Sequence, residues 1–474
     1  MLSQWFIMLP EILLISFILI ASLVNYYRSE KTPKTFFTLA QFFLIAVFLF
    51  TVVFYNKSVF PAYWQNTPLI TLFKSFAYLL SLGWLYLSSK WFLNKNRPSG
   101  IFCGIIFIQL LLFDILASST SLLTLGVIIP LLFSSNLCLI MRHWDIDKVK
   151  PVAFRYVITS LIFTVLLWIA VIMLYFLSSS FEYSAVQQYL TAQAHNNYYI
   201  LIAIALIIAV FMFMLGVAPF HIWYLDFISN GVLPVCGFIT LVVPLIIFCT
   251  LVNLLKDCLF PFNNYIEILL SFFAGLSIII GAVSSNGEQN IRRLFAYLAI
   301  YCWGICLLGL TDLSPSSIIA SFAYIIISIL SFAGIYTVFL GFKSHSEYLS
   351  DFASLKGFSN TRPYMSAALM IFMFSFIGLA PTFGFSGYML IINNLLADSA
   401  WLKVIILISG MFIAAKSCLN IIRVVYFNNM RQSYDRPDKS IYICLFIIVA
   451  IILLSLFNPN WLIRNAFVMV GGIN

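Results

Sequence analysis

The sequence predicts an all-α protein that crosses a membrane about fourteen times. Three observations carry this reading. Hydrophobic residues make up 63% of the 474, and charged residues only 9%. Soluble domains carry about 25% charged residues, so this chain cannot solvate a globular surface of its size. Its apolar residues also fall in runs of about 20, the length a helix needs to cross a hydrocarbon core near 30 Å thick. Lastly, lipid offers no hydrogen bonds to the backbone, so each run must satisfy itself as a helix. A barrel would show short alternating segments instead.

By length and hydropathy the spans fall near 5–26, 36–55, 69–89, 100–118, 121–141, 154–178, 198–219, 232–254, 264–285, 293–310, 316–341, 364–396, 401–424 and 441–458. The twelfth is too long for one straight crossing and is expected to be broken. The first run contains Glu11 and lacks a basic segment before it, so it is expected to stay as a span. Taken in order, the first three spans fill 1–99, the next five 100–254, the next five 264–424, and the last span and tail 425–474. The stretches Ser179–Asn197 and Phe342–Arg362 read as loops or short surface helices.

Orientation follows from Lys and Arg. Of the 25, Lys74 and Lys416 fall within spans; Lys57, Lys256, Lys403 and Arg464 lie on one side, and the other nineteen on the opposite side. The basic side is expected to face the cytoplasm, or the matrix of an organelle, with both termini outside. The net charge of +9 is accounted for by this asymmetry, and no nucleic-acid partner is expected.

Eight of nine cysteines lie in or beside apolar runs, and only Cys258 reads as loop-borne. No pairing framework or CxxC spacing is present. His143, His195, His221 and His345 form no metal-binding cluster, so neither metal nor cofactor is expected.

Two segments interrupt the apolar pattern in the same way. Gly216-Val217-Ala218-Pro219 ends the seventh span, and Gly378-Leu379-Ala380-Pro381 sits inside the twelfth. Proline removes a backbone donor and clashes with the preceding turn. Paired Gly/Pro breaks in two halves point to a transporter-like internal repeat, and their separation by five spans, an odd number, makes the repeat inverted. A pair of unrelated proline kinks is the alternative.

At these residues the chain resembles the antiporter-like membrane subunits of proton-pumping NADH:quinone oxidoreductase (complex I), and most of all subunit N. The markers are Leu9-Pro10-Glu11, Leu116-Ala117-Ser118 before Leu122-Leu123-Thr124-Leu125, the Leu215-to-His221 segment, Ile291-Arg292-Arg293-Leu294-Phe295-Ala296-Tyr297, and Gly378-to-Gly387. The resemblance runs from about residue 5 to 430. Related cation/proton antiporter and hydrogenase membrane subunits share the fold. The resemblance implies fourteen helices, with spans 4–8 and 9–13 as inverted repeats and spans seven and twelve broken. It also implies neighbouring membrane subunits and a place in an electron-transport chain, in a bacterial or mitochondrial inner membrane.

The resemblance further implies a proton path through a Glu in span five, Lys in spans seven and eight, a His in span ten and a Lys or Glu in span twelve. The matching positions here are Pro130, Met214, Leu245, Cys302 and Tyr388. Proton transfer inside a membrane needs groups that titrate, so the family relay is expected not to work as written. His221 and Lys416 remain as candidates for a rerouted relay. Each has a plainer reading: a helix-end histidine satisfied by carbonyls, and a lysine reaching the basic interface. Lys74 and Asp114, each about a turn from a span end, read as interfacial anchors. Asp145 and Asp147 read as part of a solvated loop. Three functions therefore stand open. They are a degenerate, structural subunit-N paralogue without redox chemistry of its own, a working proton-translocating subunit with a new path, and a stand-alone secondary transporter.

Overall fold

A computed structural model describes residues 7–27, 33–54, 64–95, 99–141, 149–192, 197–344, 347–348, 351–428 and 434–454. His143, His195, His345, Asp145, Asp147 and the tail beyond residue 454 lie outside these. Every predicted span has its helix: α1 (Leu9–Tyr27), α2 (Pro33–Val53), α3 (Pro68–Lys95), α4 (Gly100–Ser118), α5 (Leu122–Met141) and α6 (Val149–Ser178). After the short α7 (Tyr183–Ala192) come α8 (Tyr198–Leu215), α9 (Ile222–Asn230), α10 (Leu233–Leu241), α11 (Val243–Asp257), α12 (Asn263–Ser285), α13 (Ile291–Gly309) and α14 (Pro315–Gly341). The last are α15 (Pro363–Ile377), α16 (Phe383–Ala397), α17 (Trp401–Phe427) and α18 (Lys439–Leu453). Eleven of the described segments are helical, long and apolar enough to cross a membrane. The twelfth predicted span is the pair α15 and α16. The eighth is also split, at Val242, because Pro244 has no N–H to donate to the Thr240 carbonyl of the preceding turn.

Helix starts follow local chemistry. Asn290 caps α13 by accepting from the Arg292 and Arg293 amides, and Ser314 caps α14 by accepting from the Ser317 amide. Proline opens α14 and α15, where its missing donor costs nothing. Of the two polar stretches, one carries α7 as expected; the other carries a 3₁₀ turn at Phe352–Leu355, a helical turn at Phe358–Thr361 and, beyond the loop or helix expected, a two-stranded antiparallel ribbon that pairs Lys343–Ser344 with Glu347–Tyr348. Cys258 is loop-borne, as read from the sequence, in the turn after α11. It follows α11 directly and is fully buried.

The chain forms two compact units. The first comprises Met1–Leu215 and Val242–Ile266, the second Gly216–Leu241 and Glu267–Asn474. Residues 216–241 of the predicted first repeat thus group with the second unit. The chain changes unit at Gly216, the first helix break, and again at Val242, the second interruption.

In the first unit α1 packs on α4, α2 on α3, and α6 on α5 and α8, while α11 lies against α3, α4 and α8. Phe213 of α8 stacks on Phe163 of α6 with ring centroids 4.2 Å apart and meets Phe133 of α5 edge-on at 5.4 Å. In the second unit α14 is central, touching α10, α13, α15, α16 and α18. It and α13 are almost wholly buried, whereas α2, α6 and α17 expose most of their apolar surface. Phe42 at 69%, Phe176 at 78% and Phe412 at 68% exposure would be unfavourable in water and are ordinary against lipid. Packing here is won by van der Waals contact, since lipid tails are as apolar as the side chains. Phe213→Ala should therefore leave a void costing on the order of 2–3 kcal/mol, read as a lower unfolding midpoint of the purified protein in detergent.

Candidate functional site

The two helix breaks are built alike. At the first, α8 ends at Leu215 and Gly216 takes φ +67°. At the second, α15 ends at Ile377 and Gly378 takes φ +73°. Both conformations favour glycine, and space demands it as well. A Cβ on Gly216 would lie 2.8 Å from Tyr224, and one on Gly378 would lie 2.6 Å from Tyr388. A tyrosine thus rests directly over each break. Gly384 in α16 passes so close to Ser375 that any Cβ would collide with the Ser375 carbonyl oxygen.

Hydroxyl groups serve the backbone that the breaks release. At the second break the Tyr388 hydroxyl donates to the Phe376 carbonyl at 3.0 Å. Its single proton is thereby used, so the Tyr301 hydroxyl, 2.7 Å away, donates to Tyr388. The Tyr324 ring meets the Tyr388 ring edge-on at 5.2 Å, and its hydroxyl points to the Cys302 sulfur at 3.8 Å. At the first break the Ala218 amide donates to Ser277 Oγ at 3.1 Å. Thr240 gives its proton to the Cys236 carbonyl at 2.9 Å and accepts from Tyr224 at 3.0 Å and Tyr336 at 2.9 Å. Tyr224, Tyr301, Tyr324, Tyr336 and Tyr388 are all buried. Motif comparison alone had picked out only Tyr388 among them; the other four carry no local signal.

His221 begins α9, half-buried, with Nδ1 buried and without a hydrogen-bond partner. Its ring centroid is 6.3 Å from that of Tyr297. Lys416 lies on an exposed face of α17.

The first unit holds a charged cluster that the sequence did not reveal. Lys74 of α3 and Asp114 of α4, expected as interfacial anchors, are instead buried and paired at 2.5 Å. Distance from a helix end indicates depth but not direction, and both side chains face inward. Lys74 Nζ also donates to Asn66 Oδ1 at 3.0 Å, lies 3.9 Å from Glu11 Oε1 of α1, and sits 5.3 Å from the Trp64 ring centroid. Ser118 donates to the same Asn66 oxygen at 3.0 Å. Among the described residues no group of His, Cys, Asp and Glu is arranged to hold a metal ion.

This architecture has known counterparts. The family described as NADH:quinone oxidoreductase/Mrp antiporter, transmembrane, matches residues 119–414. The chain belongs to this family. It is 25% identical over 470 residues to NADH-quinone oxidoreductase subunit N of Orientia tsutsugamushi, covering 95% of this chain and 98% of that one. It is also 25% identical over 440 residues to subunit N of Acidithiobacillus ferrooxidans, with 90% and 89% covered. Its fold is that of a chain in respiratory complex I from Thermus thermophilus, with TM-score 0.80, 18% identity and coverage of 96% and 98%. A chain of the Mrp complex from Dietzia superposes with TM-score 0.84 at 14% identity, covering 98% and 97%.

Within this antiporter-like fold, the five positions singled out from the sequence hold no group that titrates near neutral pH. Met214, Leu245, Cys302 and Tyr388 are buried, and Pro130 lies within α5. Ser134 Oγ donates to the Pro130 carbonyl at 2.9 Å. In the second unit the structure brings Cys302 and Tyr388 together through Tyr324.

Tyr388→Phe should strand the buried Phe376 carbonyl and cost about 1–3 kcal/mol, whereas Tyr301→Phe, which leaves that bond in place, should cost about 1 kcal/mol or less. Thermal unfolding of both variants and the double variant, read as a thermodynamic cycle, checks the order and the coupling. Asp114→Asn keeps the shape of the Lys74 pair but removes its charge, while Lys74→Met leaves two carboxyls with no cation. The second should destabilise more, on the order of 3 kcal/mol, measured the same way.

Proposed function

We propose that this chain is a subunit-N-type membrane subunit of a proton-translocating NADH:quinone oxidoreductase, or of a related complex, and serves there as a structural member without the family's proton relay. The observation that supports this is the pairing of a full antiporter-like scaffold with apolar or hydroxyl side chains at Pro130, Met214, Leu245, Cys302 and Tyr388. The scaffold offers neighbouring subunits a surface, and the exposed apolar faces of α2, α6 and α17 suit lipid or a membrane partner. Redox groups would belong to other subunits. The side with nineteen Lys and Arg would face the cytoplasm in a bacterial inner membrane, placing both termini outside.

The exposed placement of Lys416 on α17 weighs against a path rerouted through it. Lys416→Ala should accordingly leave proton pumping by the assembled complex unchanged; a marked loss would favour the rerouted path. Mild-detergent purification of the tagged chain should bring down the peripheral NADH-oxidising subunits or the partners of a related membrane complex. Recovery of the chain alone, active in reconstituted ion exchange, would favour a stand-alone transporter instead.

A further inference from the structure

We infer that Glu11, Lys74 and Asp114 form a binding site for one exchangeable proton in the first unit, apart from all five family positions. The three groups come from three different helices: Glu11 from the start of α1, Lys74 from the first turns of α3, and Asp114 from the last turns of α4. Lys74 Nζ is near both carboxyls, 2.5 Å from Asp114 Oδ1 and 3.9 Å from Glu11 Oε1. The Lys74 and Asp114 side chains are 7% and 1% exposed, and that of Glu11 is 13% exposed.

Charge counting follows from this geometry. One ammonium neutralises one carboxylate. With both carboxyls ionised, the cluster would hold one net negative charge inside the membrane protein, and an unneutralised buried charge costs several kcal/mol. A proton on one carboxyl removes that charge. Two acceptor oxygens are free for it: Asp114 Oδ2 and Glu11 Oε2 are buried and receive no hydrogen bond.

The surroundings also suit a proton. A cavity of about 10 Å³ abuts the cluster, lined by Lys74, Tyr78, Asp114 and Cys249 among others. That is room for one water, which can carry a proton but cannot supply the several ligands a metal cation needs. Other titratable groups facing the site are the Tyr78 hydroxyl of α3 and the Cys249 thiol of α11, itself contacted by Asn253 at 3.8 Å. The packed helix α2 brings no acid or base to this end; its lysine, Lys34, opens the opposite end.

Access is from the side opposite the basic loops. Lys74 lies six residues into α3 and Asp114 four residues before the end of α4, so both are within about 10 Å of those helix ends along the axis. The segment before α3 covers them, with Trp64 bridging to Ser119 and the Gln65 amide donating to the Ser118 carbonyl. Uptake moves a proton from water at that end onto one carboxylate oxygen, and release returns it to water. The site stores a proton and is not by itself a path across the membrane. It holds whether or not the chain joins a larger complex.

Infrared spectroscopy of the full chain in lipid nanodiscs tests this without any partner subunit. At neutral pH the wild type should show a carboxylic-acid C=O band that shifts in deuterium oxide. Glu11→Gln and Asp114→Asn should each abolish it, because the remaining carboxylate pairs with Lys74. Lys74→Met should raise it about twofold, since both carboxyls then need a proton. Glu267→Gln, which removes the half-exposed partner of Lys403, should leave it unchanged. Absence of the band in the wild type, or a band that survives both carboxamide variants, overturns the proposal.

Discussion

Every backbone donor and acceptor in a membrane interior must find a partner within the protein, and at this chain's two helix breaks hydroxyl groups supply them. Tyr388 meets the Phe376 carbonyl, and Ser277 meets the Ala218 amide. The rest of the arrangement depends on this. The breaks need glycine at φ near +70°, a tyrosine packed over each glycine, and further hydroxyls to hold the tyrosines in place. A hydroxyl satisfies a carbonyl as well as an ammonium can, but it does not exchange a proton near neutral pH. An antiporter-like scaffold can therefore close its helix breaks with hydroxyls in place of ionisable groups.

The placement of charge follows the same physics. The middle of the second unit is neutral around Cys302 and Tyr388, where an ion would be most expensive. The buried charges of the first unit gather instead toward one end of their helices, where aqueous surroundings are nearest. There an ammonium and two carboxyls share one site with an amide and a serine hydroxyl. A buried ion pair is weak evidence of stability, because desolvation offsets much of the attraction. The proposed proton site rests on its position in an otherwise apolar chain. In the second unit the comparable pair, Lys403 with Glu267 at 2.6 Å, is half-exposed on its acidic partner and also contacts Thr311. Solvent can neutralise that pair, so it carries no comparable constraint.

Much of this protein was legible in its sequence. Span number, helix type and the two breaks follow from apolar run length and proline chemistry, since lipid leaves the backbone so few choices. Motif order pointed to the family, whose match covers residues 119–414. Tertiary structure alone decided which side chains meet. Tyr301 and Tyr388 are 87 residues apart, and Thr240 and Tyr336 are 96 apart. Lys74 and Asp114 were each placed near a helix end, but their pairing depends on the rotation of α3 and α4 about their axes. In a helix apolar on every side, hydropathy carries almost no information about that rotation. The sequence by itself determined the frame and the two helix breaks. Only packing decided that hydroxyls close the breaks and that three charges converge in the first unit.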